Sequence, residues 1–133
     1  MFTLNQISAA HSKVKSGADF PNYIQEIIQL GVTGYETFVT DGHTIYRSAK
    51  NDQLQTDTKY PALQIAAEAN KSFFQQELKA HQQGKTSYPD FCNACAASGV
   101  ERWVTDLEAM TCTYFDKAGN KLLTEIIPGV KPQ

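Results

Sequence analysis

Phe20-Pro21-Asn22-Tyr23 returns as Tyr88-Pro89-Asp90-Phe91, and the offset of 68 between the two stretches organises the rest of the chain. At that offset, without a gap, Gly99-Val100 falls on Gly31-Val32, Trp103 on Tyr35, Thr105 on Thr37 and Leu107 on Val39. Farther along, Tyr114 falls on Tyr46, Leu122 on Leu54, Thr124 on Thr56 and Glu125 on Asp57, while Gly119-Asn120 lands on the turn residues Asn51-Asp52. These matches sit where backbone physics is demanding: a capped helix start, a helix-ending glycine and strand core positions. The expected organisation is a single domain with two copies of a helix-strand-strand-strand unit, about 19–60 and 87–128.

Local patterns fill in the elements. Leu4, Ile7, His11 and Val14 step by three and four, which predicts an amphipathic opening helix stopped by Ser16-Gly17. Asp19 can cap a second helix whose Phe20, Tyr23, Ile24, Ile27 and Ile28 form a stripe, with Pro21 in its first turn and Gly31 after its end. Between the two copies a long helix is expected over about 61–83, with Leu63, Ala66, Ala67, Asn70, Phe73, Phe74, Leu78 and His81 on one broad side and Gly84 ending it.

Asp41-Gly42 between Tyr35 to Thr40 and His43 to Ser48 signals a hairpin, and a third strand over about Gln53 to Thr58 follows the turn at Lys50-Asn51-Asp52. Tyr35 and Trp103, Thr37 and Thr105, and Val39 and Leu107 share one parity, hence one sheet face. The predicted fold is α+β: a mostly antiparallel sheet of about six strands with helices packed on one side.

Composition narrows the function classes. The chain has 133 residues, 41% hydrophobic and 20% charged, enough to bury a packed core without staples. Its formal charge is −2 and its Lys and Arg are scattered singly, so nucleic acid is not an expected partner. No apolar run approaches the roughly 20 residues that span a bilayer, and Met1 to Gln6 lacks a signal pattern. No membrane partner is expected, and the expected address is the cytoplasm, which three cysteines also suit better than a disulfide framework.

Cys92 and Cys95 form a C-x-x-C pair that Cys112 and His81 could complete as a zinc site. The pair lies inside a predicted helix, however, at positions equivalent to Ile24 and Ile27, so burial as small apolar residues is the favoured reading. No phosphate loop, dinucleotide fingerprint, nucleophile elbow or H-E-x-x-H is present, and no cofactor or metal is implied.

Of the three histidines, His43, beside Asp41-Gly42, is the one suited to acid or base chemistry, with Glu36, Asp41, Asp106 and Glu108 as carboxylates near the hairpins. Tyr35, Tyr46, Trp103 and Tyr114 occupy matched strand positions. They read either as core or as a shared pocket or dimer surface, to which Arg102 and Arg47 could add a polar contact.

His81-Gln82-Gln83-Gly84-Lys85-Thr86, Cys95 through Val104, Met110-Thr111-Cys112-Thr113-Tyr114, and Leu30 through Thr37 with Asp41-Gly42 together cover most of the chain. In these stretches it resembles the YbcV-like family of uncharacterised bacterial proteins, whose members are often labelled phage envelope protein. The resemblance implies no activity and no catalytic residues, and an acidic chain without a membrane segment does not suit a membrane-embedded envelope role.

The sequence leaves the function unknown and favours a cytoplasmic binding module that holds a small molecule or a protein partner between duplicated halves, with a homodimer as one assembly. The alternative is a small hydrolase or isomerase using carboxylates or His43 at the hairpin tips. A thiol or zinc protein ranks below both.

Overall fold

A computed structural model describes residues 2–14 and 19–127. Ten elements run in the order α1 (Leu4–His11), α2 (Phe20–Leu30), β1 (Val32–Phe38), β2 (Thr44–Ser48), β3 (Gln53–Gln55), α3 (Lys71–Gln82), α4 (Tyr88–Ala97), β4 (Val100–Asp106), β5 (Thr111–Asp116) and β6 (Lys121–Ile126). The six strands form one antiparallel sheet in the order β3-β2-β1-β4-β5-β6. Helix, helix, strand, strand, strand is thus the element order of both halves.

The two halves meet along β1 and β4, where Tyr35 opposes Thr105, Glu36 opposes Val104 and Thr37 opposes Trp103. Adding 68 to each first-half number returns the same three pairs read from the other strand, so the register maps onto itself under a local two-fold. The detail repeats as well. β1 carries a register shift between Val32 and Gly34, β4 one between Val100 and Arg102, so Val32 and Tyr35 both turn inward, as do Val100 and Trp103. In the turns, the Asn51 N–H donates to Ser48 O at 3.0 Å and the Gly119 N–H to Asp116 O at 3.1 Å.

All the strand residues expected on one face are buried there: Tyr35, Thr37 and Val39 from the first half, Trp103, Thr105 and Leu107 from the second. The helices cover this face. Tyr23 of α2 reaches Tyr46, Phe74 of α3 packs 4.7 Å from Tyr114, and Phe91 of α4 lies 5.8 Å from Trp103, centroid to centroid. α2 buries Tyr23, Ile24 and Ile27 and ends on Gly31 at φ +104, the left-handed conformation that a helix-ending glycine supplies.

Four expectations of local structure need correction. The long helix over 61–83 begins only at Lys71, because Asn70 takes an extended conformation as N-cap and its side chain accepts from the Phe73 N–H at 3.0 Å. The Ala-rich residues before it instead form a strap. Its backbone N–H groups at Lys59 and Leu63 donate to Asp41 O and Thr40 O, and those at Ala66 and Asn70 donate to Ala96 O and Ser98 O at the end of α4. Helix propensity is a weak preference, and these tertiary hydrogen bonds override it.

The third strand stops at Gln55 rather than near Thr58. The first hairpin is wider than a two-residue turn, running from Val39 to His43 and closed by Phe38 N–H to His43 O at 3.0 Å and Gly42 N–H to Phe38 O at 2.8 Å. The opening helix ends at His11, with Thr3 and Gln6 forming a capping box at its start; the expected Ser16-Gly17 stop lies outside the described residues. Ile7 and Ala10 supply its buried face, while Leu4 is 38% exposed.

Candidate functional site

Four of the six residues singled out from the sequence converge. Tyr35, Tyr46, Trp103 and Tyr114 line one cavity of about 230 Å³ between the helix layer and the sheet, with side chains from both halves of the chain. Each half contributes a matched ring pair, Tyr35 with Tyr46 at 5.4 Å and Trp103 with Tyr114 at 6.0 Å. Strand alternation puts them there: β1 and β2, and β4 and β5, pair in a register that sets each aromatic pair directly across from each other on the inner face.

The two halves furnish the cavity differently. The first supplies hydroxyls: Tyr23 and Tyr46 share a hydrogen bond at 2.9 Å, and Thr37 and Thr44 one at 3.0 Å. At equivalent positions the second half has Phe91 and Cys112, and the Thr105 hydroxyl is 3.6 Å from the Cys112 sulfur. Burial pushes the phenols of Tyr23, Tyr35, Tyr46 and Tyr114 up, so they act as neutral hydrogen-bonding groups.

Residues outside those six complete the lining. His11 and His81 flank Tyr88, with ring centroids 6.2 and 6.5 Å from it, and the His81 ring stacks on Phe91 at 4.5 Å. Burial lowers the pKa of both histidines; beside His11 the charge of Lys59 adds to the effect, and at His81 a hydrogen bond with Thr86 opposes it. Glu125 reaches the cavity from β6, where its carboxylate accepts from Gln82 Nε2 at 2.9 and 3.1 Å and from the Tyr114 hydroxyl at 3.3 Å.

Glu125 points inward because of a register shift. Tyr114 opposes Leu123 but Phe115 opposes Lys121, leaving Leu122 as an extra residue in β6. The insertion reverses the facing of the residues beyond it, so Glu125 lies opposite Cys112 on the inner face and Ile126 is 79% exposed.

The other two candidates lie elsewhere. Arg102 precedes the inward Trp103, and alternation sends it to the opposite face, where its guanidinium donates to Glu36 at 2.9 Å and lies 4.2 Å from the Phe115 ring centroid. Arg47 joins the same Glu36 at 3.6 Å. The expected polar contact from these arginines to the aromatic four is therefore corrected to an ion-pair cluster on the outer face.

His43 stacks on Phe38 at 4.4 Å and pairs through Nδ1 with Asp41 at the first hairpin. Burial alone would raise the Asp41 carboxyl; hydrogen bonds from the His43 ring and backbone N–H leave it below its usual range. Asp106, opposite Gly34, sits at the other end of β1 and accepts from the Glu108 and Ala109 N–H groups of its own turn. The structure does not bring His43, Glu36 and Asp106 together.

Cys92, Cys95 and Cys112 are all buried. Burial raises the three thiols, Cys112 to about 11 and Cys95 well above its ordinary value, so near neutral pH they rest as protonated, weakly nucleophilic thiols. Among the described residues no three His, Cys, Asp or Glu side chains are grouped to hold a metal ion. A second depression of about 400 Å³ between α1 and α2 is a surface feature, crossed by the exposed Lys13–Glu26 ion pair at 3.1 Å. No helix among the described residues is long and apolar enough to cross a membrane.

Relatives that match at 30% identity over 99 residues include the uncharacterized proteins Rv2012 of Mycobacterium tuberculosis (strain ATCC 25618 / H37Rv) and Mb2035 of Mycobacterium bovis. The aligned stretch covers 72% of this chain but 59% of each relative, so the chain spans about three-fifths of their length. A family described as "Protein of unknown function (DUF1398)" matches residues 8–126, from the end of α1 through the last strand. The cavity and nearly all its lining fall inside that match, and the chain belongs to the DUF1398 family.

Proposed function

We propose that the protein is a small-molecule binding module whose ligand occupies the cavity lined by both halves of the chain. One observation carries the reading: a recess of about 230 Å³, partly open to solvent, lies among aromatic side chains that belong to the core. Concave, largely apolar recesses with a few placed polar groups are where small ligands bind. The volume is below the usual range for drug-sized ligands, so a compact ligand of one ring suits it.

On this reading the two halves are copies of one ancestral unit that diverged in their polar furnishing, and the chain is a YbcV-like bacterial protein acting in the cytoplasm. The repeated element order, the self-mapping register and the resemblance over most of the chain support it. The envelope label that such proteins carry adds nothing to the reading.

The test is a panel of single-ring compounds, read by melting temperature and by fluorescence of Trp103, the chain's one tryptophan. A ligand at 100 times its Kd stabilises by about 2.7 kcal/mol, an easily measured shift. Stabilisation accompanied by a Trp103 signal is the expected result. A panel that leaves both readouts unchanged would remove the binding-module reading.

A further inference from the structure

The cavity's charge pattern specifies its ligand further, an inference that rests on the binding-module reading above. Among the described residues its lining contains no Lys or Arg, and Glu125 is the one acidic side chain. The hydroxyls deeper inside are satisfied within the protein, Tyr23 by Tyr46 and Thr37 by Thr44, and no buried side-chain nitrogen or oxygen among the described residues lacks a partner. A ligand therefore meets largely aromatic walls whose paired hydroxyls ask for no new hydrogen bonds, two imidazoles and one carboxylate.

Among the described residues the donors to that carboxylate are neutral, the Gln82 amide and the Tyr114 hydroxyl. A carboxylate offers about four acceptor sites, so these contacts fix its position without exhausting or neutralising it. Ion pairs among the described residues engage Glu26, Glu36 and Asp41, all outside this cavity. Glu125 is partly exposed, whereas Trp103 and Tyr35 of the same lining are buried.

Electron-rich rings beside a fixed carboxylate form an environment that attracts cations and repels anions. The two histidines of the lining, His11 and His81, are kept toward the neutral form by burial and do not offset the negative charge. We infer that the cavity takes a small organic ammonium ion, with its apolar body among Tyr35, Trp103, Phe91 and Tyr46 and its cationic nitrogen at the Glu125 carboxylate.

Three nearly isosteric probes separate this inference from the general one. Benzylammonium, benzyl alcohol and benzoate differ in charge but little in shape, and each is titrated into the intact chain near neutral pH while Trp103 fluorescence is followed. Benzylammonium should bind roughly tenfold tighter than benzyl alcohol, the scale of a partly desolvated charge contact, with benzoate weakest. In Glu125→Gln, which retains an acceptor for Gln82 and Tyr114, the ammonium preference should disappear while benzyl alcohol binds as before; an unchanged urea midpoint establishes that the variant is folded.

Equal binding of benzylammonium and benzyl alcohol by the native chain, or a preference that survives Glu125→Gln, overturns the ammonium inference and leaves the cavity reading standing. No response to any of the three probes overturns both.

Discussion

Gly31→Ala and Gly99→Ala should differ in cost even though both glycines end a helix at positive φ. Gly31 sits at φ +104 with nothing within 4 Å of the place a Cβ would take. Gly99 sits at φ +84, and a Cβ there would lie 2.8 Å from both the Ala69 Cα and the Glu68 carbonyl oxygen. The left-handed conformation costs an L-residue about 1–2 kcal/mol, so Gly31→Ala should lose roughly that much.

Gly99→Ala bears the same backbone cost and must also push back the strap, which Ala66 and Asn70 tie to α4 by backbone hydrogen bonds of 2.9 and 2.8 Å. Overpacking against fixed backbone adds about 1–3 kcal/mol, for a total of roughly 2–5 kcal/mol. Urea denaturation of both variants and the parent, extrapolated to water with a common slope, measures the difference. If Gly99→Ala is no costlier than Gly31→Ala, the strap does not lie against α4.

Phe74→Ala should destabilise by about 3–5 kcal/mol and Phe73→Ala by less than about 1 kcal/mol, since Phe74 is fully buried and its neighbour is 36% exposed; equal losses in urea melts would place α3 in another register. His11 and His81 have folded-state pKa values below their unfolded ones, so the unfolded chain binds more protons between the two values. Stability should therefore be full above about pH 6.5 and fall as pH drops from there toward the folded values. His11→Gln with His81→Gln should flatten that slope in melts across the range, and an unchanged slope would show that other groups carry it. Cys92, Cys95 and Cys112 should react with a disulfide reagent far more slowly in the native protein than in denaturant. Rapid native labelling of Cys92 or Cys95 would instead revive a thiol function.

The sheet was legible because its signals are local and repeated. The Tyr35 and Trp103 parity, the glycines at 31 and 99 and the offset of 68 each constrain backbone geometry directly, and the six antiparallel strands with helices on one face result from them. The strap was not legible. Nothing in Pro61 to Ala69 opposes helix after its first residue, and the obstacle to one is a set of carbonyl acceptors on the hairpin and on α4, known only from the fold.

The site divides in the same way. Matched aromatics could be read from the repeat, and strict alternation from Trp103 would have sent Arg102 to the far face. Glu125 was hidden by the extra residue at Leu122, since unbroken alternation from the buried Leu122 would turn Thr124 inward and Glu125 outward. His11 and His81 join the cavity through helix packing on Tyr88, which no strand pattern encodes.

The most direct test of the account is a crystal structure of the protein purified straight from its source cells without a denaturing step. The account predicts density for a compact ligand in the cavity, against Trp103 and Tyr35 and reaching Glu125. A cavity that has closed, with those side chains packed on one another and no room for a ligand, would contradict it.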